Sequence, residues 1–241
     1  MAIPALADLS SLSGCHQLIS ILDKIHIQTS YFPNLIIHNA GVFSDELIHV
    51  GEQKLEQTFA VNVLAPFVLT SMLLPNLLSR DKEDDEEEVI RIVVASSISQ
   101  SSSISNWEDV AFYEQERFSS HKTYSESKLL VAMLTYEMSQ RLQSSKLNKE
   151  KKNTTMNCLD PGTVNTKMLL AGWGYCGIDV DRALDETWLS TTESLKGMTG
   201  KYYVGRSERK SSSFAYDRTQ RKKLWDLLCD LAPDAALQWD E

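Results

Sequence analysis

The stretch VIRIVVASS, residues 89–97, decides the fold, because six of its first seven residues are apolar and two serines follow them. A short apolar run rich in β-branched residues is typical of a strand that is buried on both faces of a parallel sheet. Two further runs have this character: Asn34–His38, which ends in Asn39-Ala40-Gly41, and Thr155–Leu159, which Pro161-Gly162 closes. The sequence also predicts a last strand at Lys201–Val204.

The other long segments of the chain show the residue spacing of amphipathic helices. Apolar residues at three- and four-residue spacing predict helices at Ser10–Ile27, Glu52–Leu78, Thr123–Leu142 and Tyr216–Leu231. We expect Ser10 or Ser11 to be the first N-cap and Pro66 to bend the second helix. Strands that alternate with helices predict an α/β fold with a doubly wound parallel sheet, in one domain over residues 1–241.

Composition narrows the classes of function. The net charge is −9, and no basic face of the kind that nucleic-acid binders carry is visible. The charged runs at 81–88 and 146–152 are typical of solvated loops. Ala60–Leu78 is uncharged over about the length of a membrane span, but its two prolines and two asparagines favour a helix that packs against the sheet.

The cysteines and the first residues bear on the compartment. Four scattered cysteines form no CxxC pair and no zinc-binding spacing, so they indicate reduced thiols and no metal site. The opening MAIPALADLSS lacks the basic and apolar regions of a signal peptide. We therefore expect a cytoplasmic or other reducing compartment.

Tyr124 and Lys128 are the first candidate catalytic residues. They are four apart in a predicted helix, so they share one face of it. A phenol has a pKa near ~10, and a nearby ammonium lowers it. Tyr124 could then exchange a proton with a carbonyl or alcohol oxygen while hydride moves at the carbon, and Ser97 could hold that oxygen. A Tyr-x-x-x-Lys pair alone is weak support, since many helices contain one by chance.

The order of the surrounding motifs is more specific. Asn39-Ala40-Gly41, Asn62, VVASS ending at Ser97, Tyr124-Ser-Glu-Ser-Lys128 and Pro161-Gly-Thr-Val-Asn-Thr166 follow one another along the chain. Together they resemble the short-chain dehydrogenase/reductase family, over roughly residues 3–230. The resemblance implies an oxidoreductase that uses NAD or NADP.

The resemblance also implies a role for each motif. Tyr124 would be the acid/base, Lys128 would also bind the nicotinamide ribose, Ser97 would orient the substrate oxygen, and Asn62 would hold a water that links Lys128 to solvent. The cofactor cleft would be lined beside the adenosine ribose by Asn39, Ala40 and Gly41, and near the nicotinamide by Pro161, Gly162, Val164 and Thr166.

The long segment between Ser97 and Tyr124 is similar to that of retinol dehydrogenases and WW-domain oxidoreductases. That similarity implies a lipophilic alcohol or carbonyl as substrate. Trp107, Phe112 and Tyr113 could form a lid over it, or could equally pack among themselves.

The helices at Ala60–Leu78 and Leu129–Leu142 are more apolar than one sheet face requires, and family members often dimerise there, so the resemblance implies a homodimer.

One family motif is missing from the expected place. The family opens with a strand and a TGxxxGxG turn that holds the pyrophosphate, whereas the first glycine here, Gly14, lies inside a predicted helix. We therefore expect the first strand, its glycine turn, the first helix and the second strand to be absent, which would impair cofactor binding and leave the strand at Asn34–His38 as an unpaired edge. Gly172, Gly174 and Gly177 fit GxGxxG, but no strand precedes them, so they do not predict a dinucleotide site.

Three functions stay open on the sequence. An oxidoreductase is favoured by the four positions Asn62, Ser97, Tyr124 and Lys128. A catalytically inactive truncated isoform or binding module of the same fold is favoured by the missing glycine turn. A sugar-nucleotide epimerase shares the Tyr-x-x-x-Lys pair, but the short chain and the Asn-Ala-Gly turn argue against it.

Overall fold

A parallel sheet forms the centre of the computed structural model, which describes residues 2–78, 89–144 and 154–239. The two predicted charged loops, 81–88 and 146–152, lie outside the described residues. Five strands form the sheet in the order β1-β4-β5-β6-β7, and β2 and β3 form a separate short hairpin. The strands are β1 (Leu35–His38), β2 (His49–Val50), β3 (Leu55–Glu56), β4 (Ile90–Ala95), β5 (Thr154–Asp160), β6 (Tyr202–Val204) and β7 (Ser207–Arg209).

All neighbouring strands of the sheet are parallel except the last pair. β1 pairs with β4, β4 with β5 and β5 with β6 in parallel, whereas β7 returns antiparallel to β6. The turn between β6 and β7 consists of Gly205 and Arg206, both with positive φ, as a tight hairpin turn requires. The sequence did not predict β7 because it is short, polar and exposed. Within the described residues β1 is the edge of the sheet, as expected.

The four predicted helices are present, although the second begins at Gln57 and not at Glu52, because residues 52–56 form the turn and second strand of the β2-β3 hairpin, and three short helices were not predicted. Ser11 is the N-cap of the first helix, where its hydroxyl accepts a hydrogen bond from the Gly14 N–H, and the Asp217 carboxylate caps the last long helix. The helices are α1 (Leu12–Thr29), α2 (Gln57–Leu78), α3 (Ser120–Ser144), α4 (Lys167–Trp173), α5 (Asp185–Thr191), α6 (Arg218–Leu231) and α7 (Pro233–Ala236).

The expected bend in α2 takes the form of a π-helical turn at Ala60–Leu64, where the Ala65 N–H donates to the Ala60 carbonyl. Pro66 follows directly and has no N–H to continue the regular ladder, which explains why the helix is irregular here rather than further along. Asn62 lies in the middle of this turn. Single π-turns inside α-helices are frequent at functional sites.

Helices cover both faces of the sheet, which confirms the doubly wound α/β fold. The larger core lies between one sheet face and α1, α2, α3 and α6, and it includes Phe67, Val94, Leu130 and Met156. A smaller cluster lies on the opposite face, where Val93, Leu159 and Tyr203 pack with Leu189 of α5. Alternate residues of β4 therefore serve two different cores, as expected of a strand buried on both faces.

Helix α2 is long and apolar enough to cross a membrane, but 83% of its most apolar window is buried inside the protein. The C-terminal segment supplies much of this cover. The Trp239 indole N–H donates to the Ser71 hydroxyl at 2.7 Å, and the Trp225 ring meets Phe67 edge to face at 5.4 Å. The apolar surface that suggested a homodimer is thus occupied within the chain, and the homodimer stays a prediction.

His38, at the end of β1, makes the stability of the protein depend on pH. Its ring nitrogen lies 2.8 Å from the Thr70 hydroxyl, and burial lowers its pKa to about 4. An unfolded histidine binds a proton below pH ~6.5, but the folded one does so only near pH 4, so stability is lost as the pH falls from about 6.5 to about 4.

We expect the free energy of unfolding to drop by roughly 2 kcal/mol between neutral pH and pH ~5 through His38 alone. Urea denaturation of the native protein and of His38→Gln at both pH values measures this difference. The glutamine variant can still bond to Thr70 but cannot titrate, so it should lose less stability on acidification. An equal loss in both proteins would assign the pH dependence to other groups.

Candidate active site

The carboxyl ends of three neighbouring strands bring the predicted site residues to one edge of the sheet. Asn39, Ala40 and Gly41 follow β1, Ser97 follows β4, and the turn beginning at Pro161 follows β5. Because β1, β4 and β5 are adjacent and parallel, these three turns lie side by side. In open α/β sheets this edge is where ligands bind.

Lys128 lies buried at the centre of this edge. Its side chain is only 4% exposed, and its Nζ donates a hydrogen bond to the Ala95 carbonyl at 2.9 Å. The turn after β1 lies close to Lys128. A Cβ atom placed on Gly41 would stand 3.5 Å from the Lys128 Nζ and 3.4 Å from the Asn62 Oδ1. The ammonium also lies 5.5 Å from the centre of the Tyr124 ring.

Asn62 ties the turn after β1 to helix α3. Its Oδ1 accepts from the Val42 N–H at 2.8 Å, and its Nδ2 donates to the Val42 carbonyl and to the Ser127 hydroxyl, each at 3.1 Å. The π-turn of α2 aims the amide at both partners. The structure therefore gives Asn62 an architectural role beside Lys128, and the water-holding role implied by the resemblance stays a prediction.

Tyr124 and Ser97 lie beside each other, but the pKa of Tyr124 departs from the sequence-based expectation. Burial raises the pKa of Tyr124 to about 12, the nearby Ser97 side chain opposes this rise, and the Asp160 carboxylate adds to it. The phenol is only 6% exposed. Desolvation thus outweighs the expected lowering, and Tyr124 holds its proton at neutral pH.

Aromatic rings cause this burial. Trp173, the last residue of α4, lies 5.4 Å from the Tyr124 ring and 4.9 Å from Phe43, which itself lies 5.8 Å from Tyr124. His121, one turn before Tyr124, lies 5.0 Å from Trp173. The sequence did not predict Phe43 and Trp173 as neighbours of Tyr124, since they come from two other segments and no spacing connects them with it.

The predicted aromatic lid does not lie over the site. Tyr113 is buried and bonds to the Glu126 carboxylate, and the Trp107 indole N–H donates to Gln220 at 2.8 Å. These rings pack within their own loop and against the core, which is the alternative interpretation of the sequence. The cover of Tyr124 comes instead from α4, after β5.

The motif after β5 forms a compact loop. Gly162 has φ +83°, a conformation that favours glycine, and the Thr166 hydroxyl caps α4 by accepting from the Leu169 N–H. Val164 is buried and forms a β-bridge with Ile178. Pro161 and Gly162 thus lead directly from the sheet edge into the segment that covers Tyr124.

The GxGxxG pattern at residues 172–177 does not have the geometry of a phosphate loop. Gly172 lies in the last turn of α4, and Gly174 follows the end of that helix. Gly177 pairs with Asn165 through two hydrogen bonds, and a Cβ on it would stand only 2.4 Å from the Thr163 carbonyl oxygen. The three glycines end a helix and close a loop, so their backbone N–H groups do not converge at a helix start.

Two carboxylates that the sequence did not predict affect the pKa of Lys128. Burial lowers the pKa of Lys128 to about 8, and the Asp160 and Glu186 carboxylates raise it. Asp160 ends β5, and Glu186 lies in the first turn of α5. A carboxylate directly after the predicted buried strand Thr155–Leu159 was the available signal for Asp160. Nothing in the sequence pattern connects Glu186 with Lys128.

The chain is similar to curated dehydrogenases along most of its length. It is 29% identical to short-chain dehydrogenase TIC 32 B of Brassica napus, over 91% of this chain and 68% of the relative. Human polyprenol dehydrogenase is 27% identical over 93% of this chain and 67% of the relative. Human retinol dehydrogenase 14 is 28% identical over 80% of this chain, which spans 57% of that relative. No protein-family model matches the chain.

Solved structures share the fold. A protein from Mycobacterium Paratuberculosis superposes with a TM-score of 0.66 at 22% identity, over 93% of this chain and 73% of that one. NADPH-bound carbonyl reductase from chicken fatty liver superposes with a TM-score of 0.60 at 18% identity, over 85% of this chain and 72% of that one. The curated relatives and the shared fold both support the resemblance to the short-chain dehydrogenase/reductase family, and the relatives include retinol dehydrogenases.

Proposed function

We propose that the chain interconverts an alcohol and a carbonyl by hydride transfer with a nicotinamide cofactor, with Tyr124 as the proton donor and acceptor. One observation carries the proposal. Tyr124 and Lys128 lie on one face of α3, and Ser97 stands beside Tyr124 at the carboxyl edge of the sheet. The curated relatives are named dehydrogenases, which supports the same reaction class.

The residues at this edge fit the nicotinamide half of such a cofactor. A Cβ on Gly162 would meet nothing within 4 Å, so the turn after β5 leaves open space beside the site. The buried Lys128 ammonium is a donor for ribose hydroxyls, and Asn39, Ala40, Gly41, Val164 and Thr166 line the neighbouring turns. Within the described residues no glycine-rich turn follows a strand, so we assign no pyrophosphate contact. When bound, the nicotinamide would give or take the hydride.

The side chains around the reacting carbon would handle the proton and exclude water. Because Tyr124 is protonated at neutral pH, it is set to donate a proton to a carbonyl oxygen. Ser97 would hold the same oxygen, and the Lys128 ammonium would stabilise the phenolate that remains. Phe43 and Trp173 would keep water from this centre.

The surroundings of Tyr124 favour a lipophilic substrate. Phe43 and Trp173 present ring surfaces directly beside the phenol, and Ile98, next to Ser97, is 70% exposed. Two relatives are named for retinol and polyprenol, which are lipophilic alcohols. We therefore infer a lipophilic alcohol or carbonyl as the substrate class, with either NAD or NADP as the cofactor.

A catalytically inactive protein of the same fold is the second candidate. The burial of Tyr124 beside Trp173 and Phe43 favours it, because a phenol that is only 6% exposed leaves little access for a substrate oxygen. The two functions differ in whether α4 moves aside to admit a ligand.

Cofactor binding and turnover separate the two candidates. We expect the nicotinamide fluorescence of NADH or NADPH to rise on titration with the protein, and we expect retinal to be reduced faster than glyceraldehyde, a small polar aldehyde. Binding of neither cofactor at millimolar concentration would contradict the enzymatic function of this chain. Binding without turnover of any carbonyl would favour the second candidate.

A further inference from the structure

Asp160 lies at the candidate site but has no role in the proton transfer proposed above. It is the last residue of β5, one step beyond the pair Ala95–Leu159 that joins β4 to β5. Its side chain is only 7% exposed. The carboxylate therefore stands at the carboxyl edge of the sheet, beside the turn that carries Ser97.

The carboxylate fixes two turns of the candidate site. Its Oδ1 accepts a hydrogen bond from the Ile98 N–H at 2.9 Å, directly after Ser97, and the backbone of Gly162 also bonds to it. One side chain thus holds the turn after β4 to the turn after β5. A shift of Asp160 would move Ser97 relative to Tyr124.

The same carboxylate offsets the charge of Lys128. A buried ammonium is costly unless opposite charge or hydrogen bonds compensate it, and the Lys128 Nζ bonds to the neutral Ala95 carbonyl. The groups that face Asp160 are Lys128 and Tyr124 from α3, Asp185 from α5 and Tyr202 from β6, while Glu186 of α5 faces Lys128. Lys128 is the one cation in this set.

We propose that Asp160 is a positioning residue for the proton transfer at Tyr124: it fixes the Ser97 turn and supplies the counter-charge that keeps Lys128 and Tyr124 protonated at neutral pH. The proposal rests on the oxidoreductase function proposed above. It predicts that the site is biased toward proton donation, because a negative charge disfavours loss of a proton from both neighbours.

The titration of Lys128 tests this without requiring turnover. In protein labelled with ¹³C at lysine Cε, the Lys128 signal is assigned by its absence in Lys128→Met and followed through the neutral and alkaline range. We expect a midpoint at about 8 in the native protein and a midpoint lower by about one unit or more in Asp160→Asn. Asparagine keeps an oxygen acceptor for Ile98, and comparison with Asp160→Glu, which keeps the charge, separates the loss of charge from a change in the bond to Gly162.

Matched variants make the result decisive. Asp109 is also 7% exposed but stands near Arg117, so Asp109→Asn should leave the Lys128 midpoint unchanged. Asp160→Glu keeps the charge and should stay near the native midpoint, and Asp160→Ser gives the same readout if the asparagine variant does not fold. A Lys128 midpoint that is the same in the Asp160 and Asp109 variants overturns the proposal.

The pH dependence of carbonyl reduction is the second readout. Loss of the Asp160 charge lowers the pKa of both Lys128 and Tyr124, so the alkaline limb of kcat/KM should move to lower pH by a similar amount. An alkaline limb that stays in place despite a lower Lys128 midpoint would refute the catalytic part of the proposal. If the native protein shows no turnover, the proposed function fails, while the lysine titration still decides the counter-charge role.

Discussion

Tyr124→Phe should abolish turnover and leave cofactor affinity within roughly threefold of the native value. Phenylalanine keeps the ring that packs against Trp173 and Phe43 and removes only the hydroxyl that would exchange the proton. Positioned acid or base groups contribute about 10²–10⁴-fold to a reaction rate, so the loss should be at least of that order. Initial rates of retinal reduction measure it, and fluorescence titration of NADPH measures the affinity.

Tyr175→Phe is the matched control for this variant. Tyr175 is 76% exposed and its hydroxyl bonds to Asp179 at 3.1 Å, so loss of this hydroxyl should change neither rate nor affinity. Thermal melts of both variants should resemble that of the native protein. Activity retained in Tyr124→Phe would remove this residue from the mechanism, and a second proton donor, beginning with His121, would need to be tested.

Phe67→Ala should have the largest effect on stability. Phe67 is fully buried in α2 and meets the Trp225 ring of α6 edge to face at 5.4 Å. Truncation of a buried phenylalanine to alanine costs about 3–5 kcal/mol, from lost burial and from the cavity that remains. The free energy of unfolding of a domain is only about 5–15 kcal/mol, so this variant would lose a large part of it.

Urea denaturation measures this cost, with Phe112→Ala as the control. Phe112 lies in the loop before α3 and is 39% exposed, so its truncation should cost about 1 kcal/mol at most. Similar losses in the two variants would show that the contact between α2 and α6 is not a main source of stability. That result would also weaken the argument that the C-terminal segment covers α2 within one chain.

The sequence predicted the framework of the molecule because strong local patterns reflect burial. VIRIVVA at 89–95 is apolar throughout apart from one arginine and became the β4 strand, which is buried on both faces. Thr123–Leu142 became α3 with Tyr124 and Lys128 on one face, because helical spacing alone places residues four apart together. The order of motifs at Asn39, Asn62, Ser97 and Pro161 then indicated the resemblance to short-chain dehydrogenases, and the curated relatives are similar proteins.

Short elements escaped prediction because little in their sequence marks them. Helices α4 and α5 have seven residues each, and β7 has three exposed polar ones, so neither period nor composition separates them from loops. The sequence left open, for a related reason, whether the aromatic residues before α3 form a lid or pack in their own loop. Whether Trp107 and Tyr113 face a substrate or the core depends on partners such as Gln220 and Glu126, which are distant in sequence.

By itself the sequence determined the order of strands and helices, because each follows from residue types at short spacing, and it indicated the resemblance to a family and the candidate set Asn62, Ser97, Tyr124 and Lys128. Only the tertiary structure decided the burial of those residues and the charges that surround them. It buried Tyr124 under rings from α4 and the turn after β1, and it placed the Asp160 and Glu186 carboxylates against Lys128. The physical reason is that a pKa depends on desolvation and on charges within a few ångströms, and the chain brings these from segments far apart in sequence.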